Sequence, residues 1–324
     1  MRRLVLTSAF ALLALAPGSA AGSGPTYLMQ GWTGVTAPGV PVRYVTLAAG
    51  SETVLAVIRR STGRVLSWRP LHGTWGVPLV AQDGATGGLS RDGKTLVLGE
   101  QHPIGTTGAS RFLLLDTGTL RVRRRIALPG DFSFDALSPG GGTLFLIQHV
   151  AGSDVTSYRV RAYDVVRGRL LPRVIADRRQ ASWVMHGTPV ARATSADGRW
   201  VYTLYQQPDG YPFVHALDAV RRSAVCVGIP WQGSQDSLWA TVLSLDRGGK
   251  TLTLSTHRGR PLFTMDTTTF VVARVRRHPG EGFPLALVLG AAGGAAALAA
   301  LALALRRRLR LAALRSLRPA LRLP

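Results

Sequence analysis

Two landmarks that share one period, with an uncharged apolar segment on either side of them, predict an all-β fold. The expected fold is a β-propeller of about five four-stranded blades followed by a single transmembrane α-helix. The first landmark is a serine, a tight turn and a short apolar strand. It occurs at Ser90, Ser138, Ser195 and Ser244, which lie 48, 57 and 49 residues apart. The second is an apolar run that ends in Asp116, Asp164, Asp218 or Asp266, 48, 54 and 48 residues apart. Two landmarks in phase are far harder to obtain by chance than one.

Each part of the repeat has a physical reading. The turns at Asp92-Gly93, Gly140-Gly141, Asp197-Gly198 and Asp246 onward supply the positive-φ position of a hairpin between first and second strands. The second strand is the apolar run that follows. The third stops at the aspartate, whose carboxylate binds backbone N–H groups just ahead of it. The fourth is the outer edge. It carries the cluster Arg121, Arg123, Arg124 and Arg125 around Val122, as edge strands do when charge blocks pairing with neighbours. A weaker fifth unit precedes these, with Val45-Thr46-Leu47 leading to a turn at Gly50-Ser51, then residues 54–58, a turn at 61–63 and a strand over 64–68. Blade boundaries are expected near 43, 85, 132, 188 and 238, with residues 26–32 pairing with the last blade to close the ring.

The flanks predict the domain order. Arg2-Arg3, the apolar residues 4–16 and the small residues Ser19-Ala20-Ala21 read as a signal peptide over 1–21. Residues 22–282 form the extracytoplasmic domain. Residues 283–305 contain no charge and match the length of a membrane-spanning helix. Arg306-Arg307-Arg308 follow at once and place the tail, 306–324, in the cytoplasm. The expected location is therefore the plasma membrane, single-pass, with the N-terminal domain outside. Gly290 and Gly294 have the spacing of a helix-dimer contact, so a homodimer is one expectation. Leucines and arginines alternate along the tail in the manner of a helix lying on anionic lipid.

Of 39 basic residues, two precede the first apolar segment and seven follow the last, while all 17 acidic residues lie between. The domain itself is thus left at +13. No dense Lys/Arg run with interleaved aromatics accompanies that charge, and a domain outside the cell does not meet nucleic acid. Cys226 is the only cysteine, which excludes disulfides within one chain. It lies in an apolar strand-like run and reads as a small buried residue.

The phrase from Leu89 to Leu96, and Leu115-Asp116-Thr117 with the Val/Ile strand after it, resemble the YVTN-type bacterial propellers, cousins of the WD-repeat propellers. Val201-Tyr202-Thr203 comes nearest to the motif that names that family. The resemblance covers most of residues 43–277 and implies the fold. Members of the family range from surface-layer and binding proteins to lactonases, commonly with seven blades, and this chain is short for seven.

Candidate ligand-binding residues cluster where second strands end. His102, His149, Gln207 and His257 fall there, and His186 falls in a blade-linking loop on the same side. Imidazoles and amides around a propeller mouth suit a polar ligand, and His102, His149 and His257 suit a transition metal. Polar loop starts facing water are the plainer reading. Trp75 and Trp231, in Gly/Pro-rich loops, are candidates for an aromatic contact surface. Asp92, Asp197 and Asp246, with Gly93 and Gly198, read as turn residues, and the strand-ending aspartates as structural. No nucleophile elbow, zinc-protease or phosphate-loop pattern occurs, so no catalytic residue is assigned. The leading functional expectation is a membrane-anchored, non-enzymatic binding scaffold for a protein or cell-envelope ligand. A metal-dependent hydrolase or lactonase with a His-lined mouth is the alternative. A structural envelope protein whose basic domain holds anionic polymer is the third.

Overall fold

The computed structural model describes residues 33–100, 108–150, 156–180, 184–207 and 210–275. Within them the chain forms five antiparallel meanders, the blades of a β-propeller. Blade 1 comprises Val42–Ala49, Glu52–Arg59 and Val65–His72, with Val35 bridged to Tyr44 as its inner edge. Blade 2 comprises Trp75–Gly76, Thr95–Glu100, Ala109–Asp116 and Val122–Pro129. Blade 3 comprises Phe132–Leu137, Thr143–His149, Ser157–Asp164 and Arg169–Ile175, with Met185–His186 added beside Ser157–Asp164. Blade 4 comprises Thr188–Thr194, Trp200–Gln206, Phe213–Asp218 and Ser223–Gly228. Blade 5 comprises Thr241–Leu245, Thr251–Thr256, Pro261–Asp266 and Val272–Arg274.

The core is a series of layers, each between two consecutive blades. Tyr44 and Leu55 of blade 1 meet Leu96 and Leu113 of blade 2. Val97 and Phe112 meet Phe134 and Leu146 of blade 3. Phe145 and Tyr158 then meet Val201 and Phe213 of blade 4, whose Tyr202 and Val214 meet Leu252 and Phe263 of blade 5. Successive residues of a strand point to opposite faces. A blade packed on both faces is therefore apolar at every position, which is why Leu96, Val97 and Leu98 follow one another and are all fully buried.

The turn chemistry repeats five times. Gly39, Gly93, Gly141, Gly198 and Gly249 have φ between 67° and 78° in the turn after the inner strand. In blade 2 the Asp92 carboxylate accepts from Ser90 Oγ at 2.6 Å and from the Lys94 N–H at 3.0 Å, while Ser90 Oγ accepts from the Thr95 N–H at 2.9 Å. Asp197 and Ser195 repeat this in blade 4. The third-strand aspartates act as read from sequence. Asp116, Asp164, Asp218 and Asp266 each accept backbone N–H groups two or three residues ahead, at 2.7–3.0 Å. Four residues beyond each, the chain turns left-handed at Leu120, Gly168, Arg222 and Phe270. Gly63 holds the same place four residues after Arg59, so blade 1 obeys the same plan with arginine in place of aspartate.

That plan moves two landmarks. The turn at Gly50-Ser51 joins the second and third strands of blade 1, not the first and second; the first turn lies at residues 37–40, where the Val40 N–H bonds to Ala37 O at 3.1 Å. In blade 5 the position of Ser90 is held by Asp246, not Ser244: the Asp246 N–H bonds to Thr251 O at 3.0 Å, as Ser90 does to Thr95 O. An aspartate offers the same acceptor as a serine hydroxyl at that turn and takes the Lys250 N–H at 2.8 Å.

Among the described residues no helix is long and apolar enough to cross a membrane. The expected signal peptide, the closing segment 26–32, the span 283–305 and the arginine-rich tail lie outside the described residues.

Candidate functional site

The inner strand of blade 2 is interrupted in a way the repeat did not foretell. Trp75–Gly76 pairs with Gly99 and Glu100, and the strand resumes with Leu89 bridged to Leu96. Between them a small hairpin forms, with Leu79 bridged to Thr86 and the Val80 N–H on Ala85 O at 2.8 Å. Its tip pairs with blade 4: the Gln82 N–H donates to Pro189 O at 3.1 Å and the Asp83 N–H to Val190 O at 2.9 Å. Blade 3 separates these two blades in sequence, so the hairpin reaches blade 4 across the axial side. Ala81 is fully buried and Val80 is 4% exposed. The protein's own chain thus bridges the inner strands of two blades that are not neighbours in sequence.

Polar groups gather at this crossing. Asp83 Oδ1 accepts the Ala85 N–H at 2.9 Å and Oδ2 the Arg192 N–H at 3.0 Å. The Arg192 guanidinium is paired with the Asp135 carboxylate and carbonyl on the inner strand of blade 3 and donates to Thr203 Oγ1 at 3.0 Å. Both ends of the ion pair are buried, with side chains 8% and 3% exposed. Low dielectric makes such a pair strong and the loss of either partner costly.

Register carries the row outward. Arg192 pairs with Thr203, Thr203 with His215 and His215 with Cys226, one residue from each strand of blade 4. Cys226 Sγ lies 3.6 Å from His215 Nδ1. A cysteine beside a histidine invites comparison with a thiolate–imidazolium nucleophile. The environment opposes it. Burial pushes the His215 imidazole down to about 4, against the pull of Asp135. Burial, with the Asp177 carboxylate, pushes the Cys226 thiol up to about 12. Both groups are neutral throughout the physiological range, so the pair holds no thiolate.

At the rim, Asp177 and Arg179 close the edge of blade 4. Asp177 Oδ2 accepts the Cys226 N–H at 3.0 Å and Arg179 Nη2 donates to Cys226 O at 3.2 Å. One acid and one base thus occupy the backbone groups a neighbouring strand would use. The Arg179 hydrogen bonds hold the Asp177 carboxyl down to about 2. A groove of about 380 Å³ opens beside them, walled by Val225–Gly228 and by Thr269 and Phe270 of blade 5. A second, of about 450 Å³, occupies the equivalent place between blades 1 and 2, walled by Ser67, Trp68, Arg69 and Pro70 and by Gly118, Thr119 and Leu120.

The sequence-based candidates are scattered over this frame. His149 Nε2 lies 3.1 Å from Ser133 Oγ and His186 Nδ1 lies 2.9 Å from Ser157 Oγ, so each imidazole is tied to its own blade. His257 is exposed on blade 5, and Gln207 is half-buried after blade 4's second strand. His102 lies outside the described residues. Among the described residues no group of three or more His, Cys, Asp or Glu is placed to hold a metal ion. Trp75 is not a contact surface: it is 5% exposed, with Nε1 donating to His72 O at 2.7 Å. Trp231 is half-buried, tilted against Phe263 at 6.1 Å, with Nε1 on Ser234 O at 3.1 Å. Both indoles satisfy their N–H groups at home, as loop aromatics that pack on their own blade do. The exposed aromatics are others: Trp68 at 64%, Tyr211 at 69% and Trp239 at 40%. Alternation along residues 64–70 does not mark Trp68, because both faces of that strand are exposed.

No family model matches the chain, and no curated protein sequence matches it. Among solved structures it is similar to the dihydro-heme d1 dehydrogenase NirN in complex with DHE, at a TM-score of 0.45 and 13% identity over 76% of this chain and 46% of that one. It is also similar to TolB from Acinetobacter baumannii (TM-score 0.43, 16% identity, 73% of this chain and 51% of that chain). A third is the Dos1 propeller (TM-score 0.43, 10% identity, 76% and 58%). The chain spans about half the length of the first two.

Proposed function

We propose that this chain is a membrane-anchored β-propeller held outside the plasma membrane, and that it acts as a non-enzymatic binding scaffold for a protein or cell-envelope ligand. One observation carries the scaffold reading: the hairpin over residues 79–86 pairs with the inner strand of blade 4, so the protein's own chain crosses the inner side between blades 2 and 4, while two grooves open at the outer strands of blades 1 and 4. The neutral state of Cys226 and His215 supports it, since a cysteine nucleophile needs a thiolate. The anchored location draws on the signal-like residues 1–21 and the uncharged residues 283–305.

Location is tested by protease treatment of intact spheroplasts. Digestion of the propeller from outside, with the tail protected, is the expected pattern; protection of the propeller overturns the placement. The scaffold role is tested on the purified full chain by elemental mass spectrometry after dialysis, alongside a hydrolase substrate screen. The expectation is no bound transition metal and no turnover. About one metal per chain, lost in a His149→Ala/His257→Ala variant, would transfer the assignment to the metal-dependent hydrolase.

A further inference from the structure

Residues 59–70, from the third strand of blade 1 through most of its outer strand, are exposed without interruption. The stretch combines two chemistries that seldom share a solvent face. Arg59, Arg60, Arg64 and Arg69 supply charge, and no acidic residue occurs between Glu52 and Asp83 to offset it. Among them stand Trp68 at 64% exposure, Val65 at 52% and Leu66 at 38%. Edge protection explains the arginines. It does not explain the apolar groups. In the outer strand of blade 2, Arg123 and Arg125 are exposed while Ile126 and Leu128 are buried, whereas blade 1 exposes both classes.

The register extends the apolar face inward. Trp68 stands beside Ala56 and Val45, and Pro70 beside Val54 and Leu47, which is 44% exposed. These residues face away from the layer that Tyr44, Leu55, Val57 and Leu71 make with blade 2. The groove next to Trp68 leads to Gly118–Leu120, and beyond it Arg121 and Arg125 lie exposed on blade 2.

We propose that the rim of blade 1, residues 59–70 with Leu47, is a docking face for an anionic phospholipid bilayer, with Trp68, Leu66 and Val65 seated among the headgroups and the flanking arginines on the phosphates. Indole rings favour the bilayer interface, and arginines near an anionic surface add attraction one by one. A soluble polyanion would be met by arginines alone; apolar side chains set between them are matched by a phase that buries them. The proposal rests on the anchored reading, which holds the domain beside a membrane, and gives the propeller a fixed orientation on it.

The test uses the full chain reconstituted into nanodiscs of phosphatidylcholine alone and of phosphatidylcholine with phosphatidylglycerol, read by amide hydrogen exchange over residues 59–72. Expected is slower exchange in the anionic discs only. An Arg64→Gln/Arg69→Gln variant should lose most of it, since removing two such arginines weakens attraction to an anionic surface roughly 30-fold. Trp68→Ala should lose part of it. All three side chains are exposed, so the variants leave the core intact. Equal exchange in both discs overturns the proposal, as does protection that the variants leave unchanged or that soluble polyphosphate reproduces. Failure of the chain to co-migrate with neutral discs overturns the anchored reading separately. The same amides are then read with anionic discs added to the chain, and unchanged exchange there overturns the docking face.

Discussion

Acid should destabilise this propeller through His215, and the size of the effect follows from its burial. The side chain is 2% exposed between blades 3 and 4, with Asp135, Arg192 and Asp177 as its charged neighbours. Its pKa is pushed from 6.5 down to about 4, chiefly by burial. The unfolded chain therefore binds a proton at His215 as pH falls through 6.5, while the native state does not until about 4. The stability His215 contributes is fully present above pH 6.5, declines between 6.5 and 4, and levels off below that. A gap of about 2.5 pKa units corresponds to roughly 3 kcal/mol. The perturbation is His215→Gln, which removes the titration and keeps a polar side chain beside Cys226. Urea unfolding of the full chain in non-ionic detergent, followed by tryptophan fluorescence at pH 7, 6, 5 and 4, gives stability against pH for both proteins. Carboxylates titrate in each, so the difference between the two curves isolates the imidazole. The wild type should lose about 3 kcal/mol more than the variant over that range. Parallel curves would refute the reasoning, whatever the variant's stability at pH 7.

Three further outcomes are expected. Arg192→Met leaves the Asp135 carboxylate buried without its partner and should cost about 3–5 kcal/mol in the same denaturation assay, whereas Arg192→Met/Asp135→Leu should recover most of it. Cys226 should react with iodoacetamide at pH 8 far more slowly in the native protein than in urea, because its thiol is pushed up to about 12; equal rates would contradict that. Gly88→Ala should destabilise by roughly 1–3 kcal/mol or more, since φ is +101° and the new Cβ would lie 2.4 Å from Val97 O; a melting temperature unchanged from wild type would refute it.

Local chemistry made the blades legible. Ser90, Asp92 and Gly93 close their turn with hydrogen bonds spanning five residues or fewer, and Asp116 ends its strand with N–H groups three residues on or closer. Such motifs read the same in sequence as in space. Where the residue types changed and the backbone did not, the reading slipped. Arg59 hides the third strand of blade 1, and Asp246 does the work of a serine in blade 5. The five left-handed positions are similarly hidden at Leu120, Arg222 and Phe270, because the turn imposes a conformation that those residue types do not advertise.

About five blades, the opening turns of blades 2 to 4 and the aspartate that ends most third strands were legible along the chain, since these depend on near neighbours in sequence. Contacts between distant segments settle that residues 79–86 cross to blade 4, that Arg192, Thr203, His215 and Cys226 form one row across blade 4, and that Trp75 is core while Trp68 faces solvent. Each of these depends on which strand lies opposite and which face meets another blade. That pairing is settled by packing between segments distant in the chain, where no local propensity reaches.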